Sequence, residues 1–138
     1  MTHIKKEQIV VSSILDDPGA RIGPAVSMAI ANHMYWESVE AGKLAEAIFK
    51  CAVKRWRTTP KNVALLLEPD YKDWTSHPTF QDGLPLGLAE VEAMSLLPVY
   101  RNKRILLMIA QAYEQALSNP EDIRDIAVRL KAQLEGLV

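Results

Sequence analysis

Carboxylates, histidines and a single cysteine are the residues of this chain whose types could carry out chemistry. Paired carboxylates perform general acid–base catalysis, and the candidates here are Glu37 with Glu40 and Glu90 with Glu92. Both pairs fall within stretches of helical pattern, so solvent-exposed helix faces explain them without a catalytic role. No serine or cysteine stands in a recognisable nucleophile motif. The sequence therefore predicts a protein that has no catalytic activity of its own.

The spacing of histidines and glycines argues against a metal or nucleotide site. His3, His33 and His77 lie far apart, without a second His or Cys at the short intervals typical of zinc ligands. Gly19 and Gly23 match neither a phosphate-binding loop nor a dinucleotide fingerprint. We therefore expect no metal ion and no cofactor.

Composition narrows the class of protein further. The chain has 138 residues, which fits one domain, and its formal net charge of −1 gives no overall attraction to nucleic acid or to an anionic membrane. Cys51 lies among apolar residues, so it predicts a buried, inert thiol in a reducing compartment. The sequence shows neither a charged leader followed by an apolar run nor the roughly 20 apolar residues of a membrane span. We expect a cytoplasmic protein without a membrane contact.

Two local clusters of basic residues stand out against this neutral background. The first lies on or after the third predicted helix and the second at the base of the last helical segment. They comprise Lys50, Lys54, Arg55, Arg57 and Lys61, and then Arg101, Lys103 and Arg104. Solvated helix faces explain both clusters. The functional alternative is contact with phosphates or with an acidic partner, which Trp56 within the first cluster favours.

Helical periodicity runs through nearly the whole chain and predicts an all-α fold. Residues 1–98 are predicted to form a small helical bundle, with the second helix central to its core. The predicted helices cover residues 5–15, 24–33, 41–57, 62–68 and 86–97. The third has a predicted inner face formed by Leu44, Ile48, Phe49, Ala52, Val53 and Trp56. Residues 69–85 read as an ordered loop, and Pro98 is expected to separate the last of these helices from the segment that follows.

Residues 99–138 are predicted to form a C-terminal helical hairpin within the same compact domain. Asn119 is expected to cap its second helix, with Pro120 in the first turn. Both arms are amphipathic, and a hairpin of this size cannot bury all its apolar residues against one small bundle. We therefore predict self-association through Ile105, Ile109, Tyr113, Ile123, Ile126, Leu130 and Leu134.

Three stretches resemble the N-terminal domain of the bacterial and phage replicative DNA helicases of the DnaB type. The first is the opening helix, with Glu7, Gln8, Val10, Ile14 and Leu15 running into Asp17 and Pro18. The second is the aromatic pair Tyr35 and Trp36, followed by Ile48, Phe49 and Ala52. The third comprises Tyr100, Arg104, Ile105, Leu106, Ile109, Ala110, Tyr113 and Ala116. The longer interval between Trp36 and Phe49 and the missing glycine pair before the hairpin indicate a divergent member, of a phage or prophage kind.

The resemblance implies a scaffold role in DNA replication. In such helicases this domain forms a collar in which hairpins pair into dimers and dimers assemble into a ring, and the collar recruits primase or a helicase loader. On this interpretation the chain is a primosome component that binds itself, as a dimer or a trimer of dimers, and also primase or a loader. Its DNA contact would be weak, and ATP-dependent helicase activity would belong to a longer parent chain.

Two alternatives from other classes remain open. A stand-alone phage helicase loader or replication adaptor would have the same helical composition but would bind a partner helicase instead of itself. A helix-turn-helix regulator would place a recognition helix in the DNA major groove, and its candidate is the basic helix through Lys54 and Arg57. The missing short glycine-containing turn before that helix counts against the regulator.

Overall fold

The computed structural model describes residues 3–15, 23–76 and 86–137, and every regular element in these ranges is helical, which confirms the all-α prediction. The α-helices are α1 (His3–Leu15), α2 (Pro24–Ala31), α3 (Val39–Val53), α4 (Pro60–Leu66), α5 (Leu86–Ser118) and α6 (Ile123–Glu135). Short 3-10 segments cover His33–Tyr35, Pro69–Ser76 and Pro120–Asp122. The predictions that concern Asp17, Pro18, Gly19, His77 and the second half of the 69–85 loop lie outside the described residues, as does the side chain of His3.

The chain divides into two compact units, Met1–Pro98 and Val99–Val138. Within the first unit, α3 is the central element, since it contacts α1, α2, α4 and the 3-10 segments on either side of it. The prediction that α2 is central was wrong, because that helix is only eight residues long and its Met28 is 55% exposed.

The buried face of α3 is made largely of small residues. Its buried positions are Ala41, Leu44, Ala45, Ala47, Ile48 and Cys51. Alanines allow neighbouring helices to approach closely, which explains how one helix packs against so many elements. The predicted inner face was therefore correct for Leu44 and Ile48 and wrong for Phe49, Ala52, Val53 and Trp56, which are exposed.

The start of α3 is fixed by side chains that satisfy its free backbone N–H groups. The Ser38 hydroxyl accepts a hydrogen bond from the Ala41 N–H at 3.2 Å, as an N-cap residue should. The Glu7 carboxylate on α1 accepts hydrogen bonds from the N–H groups of Glu37 at 2.8 Å and Ser38 at 3.4 Å. These bonds tie α1 to the beginning of α3.

The end of α3 comes at Val53, four residues before the predicted end at Arg57. Arg55 N–H donates to Ala52 O at 3.0 Å and Trp56 N–H donates to Cys51 O at 2.9 Å, which together form a Schellman motif. Arg55 is in the left-handed region with φ of 59°, where glycine is the usual residue. An arginine there costs about 1–2 kcal/mol of backbone strain relative to the right-handed conformation.

Two predicted boundaries near the hairpin are also corrected. Helix α5 continues through Pro98, although proline cannot donate a backbone hydrogen bond in a helix interior. The side chain of Asn119 makes no capping hydrogen bond, because the residues after it form a 3-10 segment and α6 begins only at Ile123. The two helices with this short connection are consistent with the predicted hairpin.

Candidate functional site

The hairpin unit buries very few of its own residues. Among the described residues from 99 to 137, only Tyr100 and Ile126 are buried. A two-helix unit of this length would ordinarily hide a continuous apolar stripe from each helix. Most apolar residues of both arms therefore remain at least partly exposed on the surface of this unit.

The first arm carries an exposed apolar stripe. Its members are Leu106, Ile109, Tyr113 and Leu117, at separations of three, four and four residues, so they share one face of the helix. Their exposed fractions are 66%, 44%, 65% and 64%. We call these four residues the first-arm stripe.

The seam between the two arms is lined by other residues. It holds Met108, Gln111, Ala112 and Gln115 from α5 and Ile126, Arg129, Leu130 and Gln133 from α6. Half of these side chains are glutamines or arginine, so the seam has little apolar area to hold the arms together. The first-arm stripe does not contribute to it.

The second arm presents a shallow apolar depression beside the seam. Ala127, Leu130 and Leu134 line it, with Lys131 and Glu135 at its margin. Ile123, one turn earlier at 53% exposure, precedes Ala127 by four residues, and Leu130 follows Ala127 by three. This alternation is the spacing of a coiled-coil seam, which suits docking of another helix.

The seven residues predicted to mediate self-association thus fall into three environments. Ile109, Tyr113 and Ile123 are exposed, whereas Ile105, Leu130 and Leu134 are half-buried. Ile126 is 7% exposed and faces the seam, so it stabilises the hairpin itself. Leu106 and Leu117 are more exposed than Ile105 and belong to the first-arm stripe. The sequence does not distinguish these three apolar residues, whereas the orientation of the arm in the structure does.

The residues predicted to contact nucleic acid or an acidic partner lie in both units. Lys54, Arg55 and Arg57 are exposed in the turn that follows α3, and Lys50 is exposed on its last turn. Arg101, which is exposed, and Arg104, which is half-buried, lie on α5 in the second unit. Lys54 Nζ stands 5.4 Å from the centroid of the Trp56 ring, a cation–π distance.

Cys51 and Glu90 are also residues whose types could carry out chemistry, and each lies in a buried or hydrogen-bonded environment. The predicted burial of Cys51 is confirmed, and this burial raises the pKa of its thiol, which disfavours the nucleophilic thiolate. Glu90 Oε1 accepts a hydrogen bond from the Ala25 N–H at 3.1 Å, which places this carboxylate at the start of α2. Within the described residues, no three His, Cys, Asp or Glu side chains are grouped so that they could hold a metal ion.

His33 lies against Phe49, with ring centroids 5.9 Å apart and the planes tilted by 47°. Burial lowers its pKa, nearby Lys50 and Lys43 lower it further, and Glu46 opposes them. The groove beside it is lined by Met34, Trp36, Ser38 and Val39 among others. The Ser38 hydroxyl is already engaged as the N-cap of α3, and the described part of the chain has no metal-ligand cluster there.

None of the helices in the described ranges has the length and apolar character that crossing a membrane requires.

Comparison of the chain with protein-family models, with curated proteins and with solved structures finds no match in any of the three. The hairpin surface and the basic turn therefore have to be interpreted from their own geometry.

Proposed function

We propose that this chain is a non-catalytic assembly module whose hairpin associates with the hairpin of a second copy. The observation that supports the proposal is the burial pattern of residues 99–137, in which the apolar residues of both arms are exposed or half-buried, apart from Tyr100 and Ile126. A second hairpin presents the same heptad-like spacing of apolar residues. A symmetric pair would use each stripe twice, once from each copy.

The energetics favour a reversible association. Five side chains in each copy are about half exposed or more: Leu106, Ile109, Tyr113, Leu117 and Ile123. Burying the exposed part of each contributes about 1 kcal/mol, so two copies together gain on the order of 10 kcal/mol. Association costs roughly 4–15 kcal/mol in lost translational and rotational freedom. With the cost at the low end of this range, the net gain is about 6 kcal/mol, which corresponds to a weak dimer that forms in a concentration-dependent way.

The resemblance to the N-terminal domain of DnaB-type helicases suggests the biological form of this assembly. We propose that the paired hairpins belong to a ring-shaped collar in DNA replication, as a dimer or a trimer of dimers, and that the collar recruits primase or a helicase loader. The all-α bundle followed by a hairpin supports this proposal at the level of architecture.

Light scattering tests the assembly. We expect the solution mass to rise from 15.4 kDa toward twice that value or more as the protein concentration increases from about 1 to about 100 μM. A dimer whose association free energy is ~6–8 kcal/mol in magnitude is half formed within this range. The variant Tyr113→Asp should hold the protein at the monomer mass, because it places a charge in the first-arm stripe without touching the seam.

Two further variants sharpen the result. Leu130→Asp should also abolish association, but Leu130 lines the seam as well, so its helix content has to be checked by circular dichroism. Val128→Asp is the matched control, since Val128 is 64% exposed on α6 and lines neither the seam nor the apolar depression. Equal masses for the wild type, Tyr113→Asp and Val128→Asp would contradict self-association.

A monomer at every concentration would favour the adaptor function, in which the same stripe binds a partner helicase. A pull-down against a replicative helicase, with Tyr113→Asp as the negative control, distinguishes that outcome.

The helix-turn-helix regulator has less support, because α3 ends at Val53 and no helix carries Lys54 and Arg57.

A further inference from the structure

The turn between α3 and α4 lies in a segment whose charged residues are all basic. From Ala47 to Leu67 the sequence contains five basic residues and no acidic residue. Since the whole chain has a formal net charge of −1, the remaining residues together carry a net charge of −6. The positive charge of the molecule is therefore concentrated locally, where it can attract an anionic partner despite the neutral total.

Most of these cations make no ion pair within the described part of the chain, although Lys54 lies over the Trp56 ring. Lys50 pairs with Glu46 at 3.4 Å. Lys54, Arg55, Arg57 and Lys61 are exposed and make no ion pair with any described residue. Four like charges this close in sequence repel one another, and although solvent screens much of this repulsion, an anionic partner would remove it.

The backbone of the turn is held by hydrogen bonds, so the positions from which the cations project are defined. The two Schellman hydrogen bonds fix Arg55 and Trp56. Further along, the Asn62 side-chain amide donates to Arg57 O at 2.9 Å, and the Thr59 hydroxyl accepts from the Asn62 N–H at 3.2 Å. A binding surface whose backbone is already ordered loses little backbone entropy when its ligand arrives.

Arg55 occupies the one described non-glycine position with positive φ. A glycine would satisfy the Schellman motif with less strain, so the helix end alone does not account for an arginine here. Its guanidinium, presented beside two other cations, is suited to bind phosphate oxygens in a bidentate manner.

Trp56 adds a different kind of contact to the same turn. Its indole is 42% exposed and lies in sequence between Arg55 and Arg57. Aromatic rings flanked by cations bind single strands by stacking on bases while the cations neutralise the phosphates. An acidic peptide would use the cations but would give the exposed indole no comparable stacking partner.

We propose that the turn formed by residues 54–61 binds single-stranded nucleic acid, with phosphates on Arg55, Arg57 and Lys61 and a base stacked on Trp56. This surface lies in the unit Met1–Pro98, whereas the assembly surface lies in the hairpin unit. Failure of either proposal therefore leaves the other intact.

Fluorescence anisotropy of a labelled oligo-dT strand tests the proposal with the full chain. We expect binding at low salt that weakens as salt rises, with a log–log slope of about −2 for three phosphate contacts. Arg57→Glu and Trp56→Ala should each lower the affinity about tenfold or more. Arg124→Glu, an exposed cation on α6, is the matched control and should change it less than about twofold.

The variant Arg55→Gly separates a binding role from a structural one. Glycine relieves the backbone strain, so the melting temperature should rise, while the affinity for oligo-dT should fall about threefold or more. Unchanged affinity in Arg55→Gly and Trp56→Ala would overturn the proposal. So would competition by a polyglutamate peptide as effective as that by unlabelled oligo-dT, which would identify an acidic polypeptide as the partner.

Discussion

Glu7 is a fully buried carboxylate that holds the start of α3 in position. It lies on α1 on the same face as Val10, Val11 and Ile14, all of them buried, and accepts two backbone hydrogen bonds just before α3 begins. A carboxylate at the positive end of a helix is favoured by the helix dipole as well as by these bonds. The spacing from Glu7 to Ile14 is visible in the sequence, so its burial could have been predicted, whereas its partners 30 residues away could not.

Replacing this carboxylate tests its importance. Glu7→Gln keeps the shape of the side chain but removes the charge and one of the two equivalent acceptors, so we expect the free energy of unfolding to fall by about 1–3 kcal/mol. Urea denaturation measures the change. Glu114→Gln, exposed on α5, is the control and should stay within ~0.5 kcal/mol of the wild type. Equal losses in the two variants would contradict a special role for Glu7.

His33 predicts a pH dependence of stability. Its pKa is lowered from 6.5, mainly by burial, so the unfolded chain binds a proton more readily than the folded chain does. Stability should therefore be unaffected by this group well above pH 6.5 and should fall as the pH drops through 6.5 toward the lower folded pKa. Thermal melts at about pH 7.5 and about pH 5.5 should show a smaller difference in His33→Gln than in the wild type. The same difference in both would exclude His33 as the cause.

Helix α5 shows where sequence patterns predict elements and where they fail. The periodicity correctly indicated helix on both sides of Pro98, and local rules placed a break there, but a single helix of 33 residues runs through this position. The same limitation applies to α3. Phe49, Val53 and Trp56 are apolar at helical spacing, yet neighbours distant in sequence cover the face with Leu44 and Ile48 instead. Periodicity identifies a helix, whereas tertiary packing selects which apolar face is buried.

Pro98 should therefore be a weak point in α5. It cannot donate a hydrogen bond to the carbonyl of Met94, and its ring crowds the preceding turn. Pro98→Ala should raise the free energy of unfolding by about 1–3 kcal/mol. The substitution removes the cost of a proline in a helix interior, but it also removes the restriction that proline places on the unfolded chain, which reduces the gain. Urea denaturation followed by circular dichroism measures this change. A loss of stability would show that the helix depends on the proline.

The two units differ in how much of their own surface they bury. The unit Met1–Pro98 contains almost all of the buried apolar residues, from Ile9 on α1 to Leu96 on α5, whereas the arms of the hairpin contribute Tyr100 and Ile126. The sequence predicted this hairpin and its excess of apolar residues from composition and spacing. It could not predict which apolar residues face the seam, because Ile105, Ile109 and Ile126 are chemically alike and differ only in orientation.

The hairpin should accordingly depend on association for its helical structure. We expect a peptide of residues 99–138 to be largely unfolded when dilute and to gain helix with concentration, since a unit with so little buried apolar surface is marginal alone. Circular dichroism over a concentration series measures this, and Tyr113→Asp should remove the increase. Residues 1–98, which retain the core of the first unit, should show constant helix content. A peptide that is fully helical at every concentration would mean that the exposed stripes are not needed for folding.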